Sequence, residues 1–447
     1  MSDADSHPQE LCAACIGGLG FFGNGVFQLA FAKILAARLG LRLTVPSSCT
    51  WIHLFEADGD SVLAVPLEKV YAMPIVADRV ILSHPHFRRW AAEREPYRSL
   101  ACRVGTAALS GRQLRRLFPQ VSAAELDDDN GAGDENDDGT RVRLGHSALA
   151  GRALWGWFQF QTGRYVRHRD TFRRLFTVEK HLLSALHHAL DACLVAWLCN
   201  HQGCRPTAET TAAATEAAKH SNDDDDPPRR RVRLVVVHLR EGSDFSALQE
   251  PASANPRPSS SSWPQRVVGP PFEHGNNENW DDLSGCYFVS PRQWYAEWAS
   301  QQLQHARRDR VDVLVWVCSD NAAVSATPAA ALGLPDGTVL SWRCAAAAGA
   351  PTLAVAAAER VAAMAPGWML DWWLMRQADA LAVSNSSLSF SAAMLNDPAG
   401  AAFFRPDPAA GGLRSFDPWN DLPILPSKRV PANHAVHLRG FPSAAAF

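Results

Sequence analysis

Three short apolar segments, widely separated along the chain, each lead directly into a polar segment. Residues 232–237 precede HLREGSD, residues 311–317 precede CSDN, and residues 380–383 precede SNSS. Short apolar runs that are rich in β-branched residues and end in turn-forming residues predict buried strands. The carboxyl ends of parallel strands meet at one edge of a sheet, where open α/β folds bind ligands. The pattern therefore predicts that the three polar segments share one binding site.

Helical periodicity alternates with such strands in both halves of the chain. The predicted elements of the first half are a strand at 12–16, a glycine-rich turn at 17–25, a helix that ends at Gly40, a strand at 41–45 and a long helical stretch at 169–198. The second half adds to its three strands helices near 291–306, 369–377 and 389–395. Alternating strands and helices imply a parallel sheet in each half. The sequence thus predicts an α/β fold with two Rossmann-like parallel-sheet domains that face a cleft.

The composition places domain boundaries in polar, low-complexity segments. At about 150 residues per domain, a chain of 447 residues holds two or three domains. We expect an N-terminal domain at 11–206 with a disordered acidic insertion at 126–140, a low-complexity linker at 207–230, and a C-terminal domain at 231–447 with a loop insertion at 251–280. Asp127, Asp128 and Asp129 belong to the first insertion, where a solvated acidic loop is favoured over a metal site.

Charge and cysteine content exclude several classes of protein. The net charge of −3 indicates no nucleic-acid partner, and the ten cysteines are too scattered to predict a metal site or a disulfide framework. No signal peptide is predicted. The best membrane candidate, at 181–199, contains three histidines and an aspartate and is interpreted as a buried amphipathic helix. We therefore expect a soluble chain without a membrane span, while its compartment and oligomeric state stay open.

The glycine-rich turn is the first candidate binding element. Gly17, Gly18, Gly20, Gly23 and Gly25 let the backbone approach a ligand and expose amide donors at a helix start. A tight turn without a ligand is the alternative. Part of the spacing matches a dinucleotide fingerprint. However, the next strand ends in VPSS rather than in an acidic residue, which disfavours a nicotinamide oxidoreductase.

His238 and Arg240 form the second candidate element. Residues two apart on a strand point to the same side, so both side chains project together at the strand end. The guanidinium of Arg240 matches two phosphate oxygens. Asp244 is placed to orient a hydroxyl group or to hold the arginine. The alternative for Arg240 is a structural ion pair with a carboxylate.

Serines before a predicted helix form the third candidate element. Ser386, Ser387 and Ser389 can supply hydroxyl and amide donors to an anion at the positive end of a helix. Simple N-capping by Ser387 or Ser389 is the alternative. Asp320 can accept hydrogen bonds from a base or a ribose, or cap the turn after it. Together with Arg240, these groups suit a phosphorylated sugar nucleotide.

Several motifs, in order along the chain, resemble those of the fucosyltransferase superfamily. GFFGNGVFQLA followed by LGL resembles the GxxGNQxFxxA…LG motif of α-1,2-fucosyltransferases, and WGWFQ followed by Phe176 resembles their GYFQSEKYF…F segment. HLREGSDF resembles their HxRRGD and the HLRxGSD of protein O-fucosyltransferases. SDN resembles SDD or TDS, and DWWLM followed by SNSSLSF resembles DxYLM…ANSSFSWW.

This resemblance implies a GT-B-like enzyme that transfers fucose from GDP-fucose, with inversion and without a metal cofactor, to a hydroxyl group of a glycan or glycoprotein. It places Asn24 near the acceptor hydroxyl as a catalytic residue. From the residues themselves we expect Arg240 to stabilise negative charge on the β-phosphate and Asp244, the nearby acid, to be a candidate base, while the identity of the base stays open. The donor would be bound by Gly20, Gly23, His238, Arg240, Asp320, Ser386, Ser387, Ser389 and Phe390.

The chain also departs from the motifs it resembles. Gly25 stands where the family has Gln, Phe21 stands where protein O-fucosyltransferases have Arg, and Glu241 replaces a second Arg or an apolar residue. Two alternatives therefore stay open beside fucosyl transfer. One is a glycosyltransferase that uses another sugar nucleotide. The other is a nucleotide-binding or glycan-binding relative without catalytic activity.

Overall fold

Contacts between residues divide the chain into two compact units. The computed structural model describes residues 10–16, 22–56, 62–73, 75–78, 108–109, 149–155, 162–201, 232–240, 290–343, 352–407 and 410–424. The N-terminal unit contains the described residues up to Thr177 and those from Pro418 onward, and the C-terminal unit contains those from Val178 to Asp417. The predicted insertions at 126–140 and 251–280 and the predicted linker at 207–230 lie outside the described residues.

The N-terminal unit is built on a six-stranded parallel sheet with the strand order β3-β2-β1-β6-β4-β5. Its strands are β1 (Glu10–Ala13), β2 (Arg42–Pro46), β3 (Val62–Val65), β4 (Ile75–Asp78), β5 (Ala108–Leu109) and β6 (Arg152–Trp155). Its described helices are α1 (Phe22–Arg38), α2 (Leu67–Ala72), α3 (Arg169–Leu175) and two 3₁₀ helices, Ile52–Leu54 and Thr162–His168. Strands β2 and β3 lie on one side of β1, and the later strands β4, β5 and β6 lie on the other side, which is a doubly wound topology.

An aromatic cluster holds α1 against the sheet of this unit. Phe22, in the first turn of α1, meets Trp51 edge to face with ring centroids 5.0 Å apart and stacks on Phe55 at 5.9 Å. Edge-to-face and offset-stacked pairs are the favoured arrangements of aromatic rings. Gly25 lies under the same indole, and a Cβ atom built there would be 2.7 Å from Cζ2 of Trp51. Glycine is therefore required by packing at this position.

The C-terminal unit has a second six-stranded sheet with the order β12-β11-β10-β7-β8-β9. Its strands are β7 (Val232–Leu239), β8 (Asp312–Ser319), β9 (Val339–Leu340), β10 (Ala380–Ala382), β11 (Ala402–Asp407) and β12 (Gly412–Ser415). All neighbouring pairs are parallel except β11 with β12. Its described helices are α4 (Lys180–His201), α5 (Arg292–Asp309), α6 (Ala322–Ala326), α7 (Pro328–Leu332), α8 (Thr352–Met364), α9 (Gly367–Arg376) and α10 (Ser387–Met394).

Burial explains why the central strands of this sheet are apolar runs without alternation. The last six residues of β7 are all buried, and so are six consecutive residues of β8. Val235, Val237 and Val315 pack into a core with Tyr295 and Trp298 of α5. Strands of a parallel sheet that are covered on both faces need apolar side chains on both faces. The predicted α/β class with two Rossmann-like parallel sheets is confirmed, while the cleft between the domains stays a prediction.

Helix α4 is the one described helix that is long and apolar enough to cross a membrane, by length and composition, over Lys180–Leu198. Its buried residues recur every three or four positions, at Leu182, Leu186, Ala189, Cys193 and Trp197. It packs against α8 and α9 of the same unit. A single buried stripe of this kind is typical of a core helix in a globular unit, which agrees with the interpretation of this segment from sequence.

The structure differs from the predicted elements in two places. The helical stretch predicted at 169–198 is two helices, because α3 ends at Leu175 and α4 begins at Lys180. The contact boundary lies at Thr177 rather than after residue 206 because α4 packs within the C-terminal unit. The chain then returns to the N-terminal unit, where Trp419 packs edge to face on Phe172 with ring centroids 5.7 Å apart. The segment at 416–421, whose sequence indicates no chemistry, thus has a packing role.

The contact between Gly25 and Trp51 predicts that Gly25→Ala destabilises the protein. The added methyl group must displace a buried ring, which typically costs about 1–3 kcal/mol, whereas alanine gains about 1 kcal/mol of helix propensity over glycine. We expect a net lowering of the urea midpoint. Gly367→Ala is the matched control, because nothing lies within 4 Å of a Cβ atom there. Equal midpoints for the two variants would contradict the packing role of Gly25.

Candidate active site

The candidate site lies where the strand order of the second sheet reverses. From β7 the chain proceeds to β8 and β9 on one side, and it later places β10 and β11 on the other side. Open α/β sheets bind ligands outside the carboxyl ends of the strands at such a switch point. Val237 pairs with Ala382, and Leu239 pairs with Ser319. The three polar segments that follow β10, β7 and β8 are therefore neighbours at one sheet edge, as the sequence predicts.

Arg240 follows β7 and reaches the start of α10. Its Nη1 atom donates a hydrogen bond to Oγ of Ser386 at 3.3 Å. Ser386 is the N-cap of α10, and its Oγ also accepts a hydrogen bond from the amide of Leu388 at 3.3 Å. A guanidinium and the positive end of a helix thus lie side by side. Both favour a bound anion.

His238 is buried behind Arg240 and holds β7 to the end of β10. Its side chain is 5% exposed, and its Nδ1 atom lies 2.7 Å from Oγ of Ser384. Burial lowers the pKa of His238 to about 4; the Asp320 carboxylate acts in the opposite direction, and the charge of Arg240 lowers the pKa further. The imidazole is therefore neutral at neutral pH, with one nitrogen that donates and one that accepts.

Asp320 follows β8 and contributes a carboxylate to the same edge. Its electrostatic interaction with His238 places the two groups close together. The turn after β8 is capped by Asn321, whose side chain accepts from the amide of Ala323 at 2.9 Å. Capping, the alternative predicted for Asp320, is thus performed by its neighbour.

The serines of α10 differ in what they do. Ser389 is fully buried and donates to the carbonyl of Ser386 at 3.3 Å, and Ser387 is 7% exposed. We predicted N-capping by Ser387 or Ser389 as the alternative to anion binding. The N-cap is instead Ser386, one residue before Ser387. The serine hydroxyl shown to contact Arg240 is that of Ser386.

Phe390 lies in the core of the C-terminal unit, and its role in donor binding stays a prediction. It is fully buried, with the Arg405 guanidinium 5.3 Å from its ring centroid and the Phe416 ring 5.4 Å away. Phe390 is thus packed inside the unit in the ligand-free protein. The physical reason is that α10 is buried on nearly all sides, with only Leu388 partly exposed.

The remaining predicted site residues belong to the N-terminal unit or lie outside the described residues. Asn24 is partly exposed in the first turn of α1, and Gly23 is buried beside it. Gly20 and Asp244 lie outside the described residues, as does Glu241. Gly25, where the family has Gln, is packed against Trp51. The packing against Trp51 accounts for a residue without a side chain at this position.

Asp371 is a titratable residue at this sheet edge that the sequence analysis quoted within a motif but did not single out. Burial raises its pKa to about 7, although a hydrogen bond with Cys318 and the charge of Arg343 oppose the shift. Cys318 and Asp320 are two residues apart and face the same side of β8. The signal for Asp371 was a carboxylate within the otherwise apolar helix GWMLDWWLMR.

The described part of the chain contains no group of three or more His, Cys, Asp or Glu side chains that could hold a metal ion. The cationic groups at the site are instead Arg240 and the amino end of α10. What the arrangement can do chemically is bind an anion and donate hydrogen bonds to it.

No family model matches this sequence, and no curated protein matches it either. Among solved structures, the fucosyltransferase NodZ from Bradyrhizobium is similar, with 13% identity and a TM-score of 0.40 over 92% of this chain and 99% of that one. NodZ α-1,6-fucosyltransferase soaked with GDP-fucose has 12% identity and a TM-score of 0.39, again over 92% of this chain and 99% of that one. POFUT1 in complex with GDP-fucose has 11% identity and a TM-score of 0.40 over 90% and 99%. These values are low, so the fold and site rest on the chain's own residues.

His238, which is buried, and Asp371, which is partly exposed, predict opposite responses to pH. Folded His238 binds a proton only near pH 4, against 6.5 when unfolded, so the unfolded state binds more protons between these values and stability falls as pH falls through this window. Folded Asp371 binds a proton already near pH 7, against 3.8 when unfolded, so its contribution to stability falls as pH rises through that window.

Because the two windows overlap and the contributions oppose each other in the wild type, we expect His238→Gln to shift the slope of stability against pH in the negative direction between about pH 4 and 6.5, and Asp371→Asn to shift it in the positive direction. Each change is at most a few kcal/mol, since one pKa unit corresponds to about 1.4 kcal/mol. Urea denaturation of the wild type and both variants between about pH 4.5 and 7.5 measures the effect. Identical pH profiles of all three proteins would contradict the assignment.

Proposed function

We propose that this chain is a glycosyltransferase that binds a sugar nucleotide at the β7–β10 switch point of its C-terminal unit. In its specific form, the proposal is inverting, metal-independent transfer of fucose from GDP-fucose to a hydroxyl group of a glycan or glycoprotein. The observation that carries it is the hydrogen bond from Arg240 to Ser386, which sets a guanidinium at the amino end of α10. The motif resemblance supports the choice of donor.

The diphosphate of the donor is the part of the substrate that the site suits best. The guanidinium of Arg240 offers a planar pair of donors that matches two phosphate oxygens. The first amides of α10 and its helix dipole add a second attraction for negative charge. These groups supply the positive charge that a divalent metal supplies in metal-dependent transferases, which is why we propose transfer without a metal.

The nucleoside would lie toward the end of β8. The Asp320 carboxylate can accept hydrogen bonds from ribose hydroxyl groups, which is a common role for an acidic residue at a strand end in this fold class. Asp371 lies on the same side of β8 and can accept hydrogen bonds from ring and amino N–H groups of a base. Guanine offers such donors on neighbouring atoms, which agrees with a GDP-linked sugar.

The chemical step would proceed by loss of the diphosphate from the sugar carbon. Negative charge builds on the β-phosphate as the glycosidic C–O bond breaks, and Arg240 with the α10 amides would stabilise it. Attack of the acceptor oxygen on the opposite face of the sugar gives inversion in one displacement. We propose that Asn24 orients the acceptor hydroxyl. Asp244 would accept the hydroxyl proton.

Replacing Arg240 tests this proposal. We expect Arg240→Ala to weaken GDP binding and to lower the rate of GDP-fucose hydrolysis by about 100-fold or more, because a charge contact made in the transition state is lost. Arg233→Ala is the matched control: it removes a partly exposed arginine from the opposite end of the same strand and should change neither value. Calorimetry and a hydrolysis assay in EDTA, run also with UDP- and dTDP-sugars, provide the measurements.

Near-wild-type turnover of Arg240→Ala would refute the role of this arginine. Tight GDP binding by the wild type without turnover of any donor would instead favour the non-catalytic relative. Turnover of a UDP- or dTDP-sugar in place of GDP-fucose would support a glycosyltransferase but show that the proposed donor is wrong. Loss of turnover in EDTA would contradict the metal-independent form.

A further inference from the structure

Ser384 carries a hydroxyl group whose role neither the motifs nor the proposed chemistry defines. It is the second residue after β10, is 4% exposed, and lies with its Oγ 2.7 Å from Nδ1 of His238. Its backbone carbonyl accepts from the amide of Ser386 at 2.8 Å, which fixes the turn into α10. The hydroxyl is thus held against the ring by the backbone that also forms the anion-binding helix start.

The direction of this hydrogen bond follows from the needs of a buried hydroxyl group. Within the described residues, the Nδ1 atom of His238 is the hydrogen-bond partner found for the Ser384 side chain. If the ring donated from Nδ1, the hydroxyl proton of Ser384 would lack an acceptor. A buried donor without a partner costs about 1–3 kcal/mol. If Ser384 donates to Nδ1, its hydroxyl proton has an acceptor, and the ring proton lies on Nε2.

The tautomer of the ring follows from that direction. A neutral imidazole that accepts at Nδ1 carries its proton on Nε2. Among the described residues, the charged groups that act on the ring are Arg240, which follows β7, and Asp320, which follows β8. Burial lowers the pKa of His238 to about 4, so the ring keeps this neutral form at neutral pH. The serine thereby decides which ring nitrogen can donate.

We propose that Ser384 is a positioning residue that fixes His238 as the Nε2–H tautomer, so that this N–H donates a hydrogen bond to a phosphate oxygen of the bound donor. The part that concerns the ligand rests on the proposed function. The part that concerns the ring does not, because the tautomer is set within the ligand-free protein. A histidine with its proton on Nδ1 would turn a lone pair toward the phosphate and repel it.

Nitrogen NMR of the ligand-free full-length chain with ¹⁵N-labelled histidine tests the ring directly. The chain contains 16 histidines, so the spectrum of His238→Gln identifies the signals of His238. At neutral pH we expect a protonated Nε2 and an unprotonated Nδ1. A ring protonated at Nδ1, or on both nitrogens, would overturn the proposal.

Two variants of Ser384 separate positioning from a structural role. Ser384→Ala removes the donor and should mix the two tautomers, whereas Ser384→Thr keeps a hydroxyl group and should keep the Nε2–H form. We expect Ser384→Ala to weaken GDP binding on the order of threefold or more, as for loss of one hydrogen bond, and Ser384→Thr to restore it at least in part. An unchanged Nε2–H tautomer in Ser384→Ala would overturn the role of the serine.

The two proposals fail in different ways. In one outcome, His238 is no longer held as the Nε2–H tautomer in Ser384→Ala, yet this variant binds GDP as tightly as the wild type. If Arg240→Ala binds GDP weakly at the same time, the positioning role is refuted and the proposed function stands. If the wild type binds no sugar nucleotide, the proposed function is refuted. The NMR spectrum still decides in that case whether Ser384 sets the tautomer.

Discussion

Two hydrogen bonds between the ends of neighbouring strands hold the candidate site together. One joins Arg240 to Ser386 and the other joins His238 to Ser384, so β7 and β10 are tied at their carboxyl ends. Strand β10 is only three residues long, and its register with β7 decides which polar residues meet. A shift of one residue would move the serines to the opposite face. The position of the amino end of α10 therefore depends on the pairing of β10 with β7, which is short and fully buried.

The site combines groups with different electrostatic needs. His238 is buried and stays neutral, because an imidazolium would lose its hydration there. Arg240 lies at a partly exposed position, where it contacts the hydroxyl group of Ser386. The fully buried guanidinium of Arg405 instead lies over two aromatic rings of the core. The arginine that we propose to bind a ligand thus follows a strand end, while the buried arginine contacts the ring of Phe390 in α10.

The sequence allowed the sheet and its polar edge to be predicted because both depend on local signals. Runs of β-branched residues in β7 and β8 and the serines before α10 are visible without knowledge of the fold. The burial of Phe390 could not be predicted, because it depends on Arg405 and Phe416, which only the folded chain brings to it. The packing of Gly25 under Trp51 and the return of Trp419 to the N-terminal unit are likewise long-range contacts. Asp371 acquires its raised pKa only through burial in the folded unit.

The central claim is that the amino end of α10 and Arg240 form one anion site for a diphosphate. A crystal structure of the protein with GDP tests it most directly. The claim predicts that oxygens of the β-phosphate lie within hydrogen-bonding distance of the Arg240 guanidinium and of amides in the first turn of α10. A diphosphate bound elsewhere, without contact to Arg240 or to the first turn of α10, would contradict it.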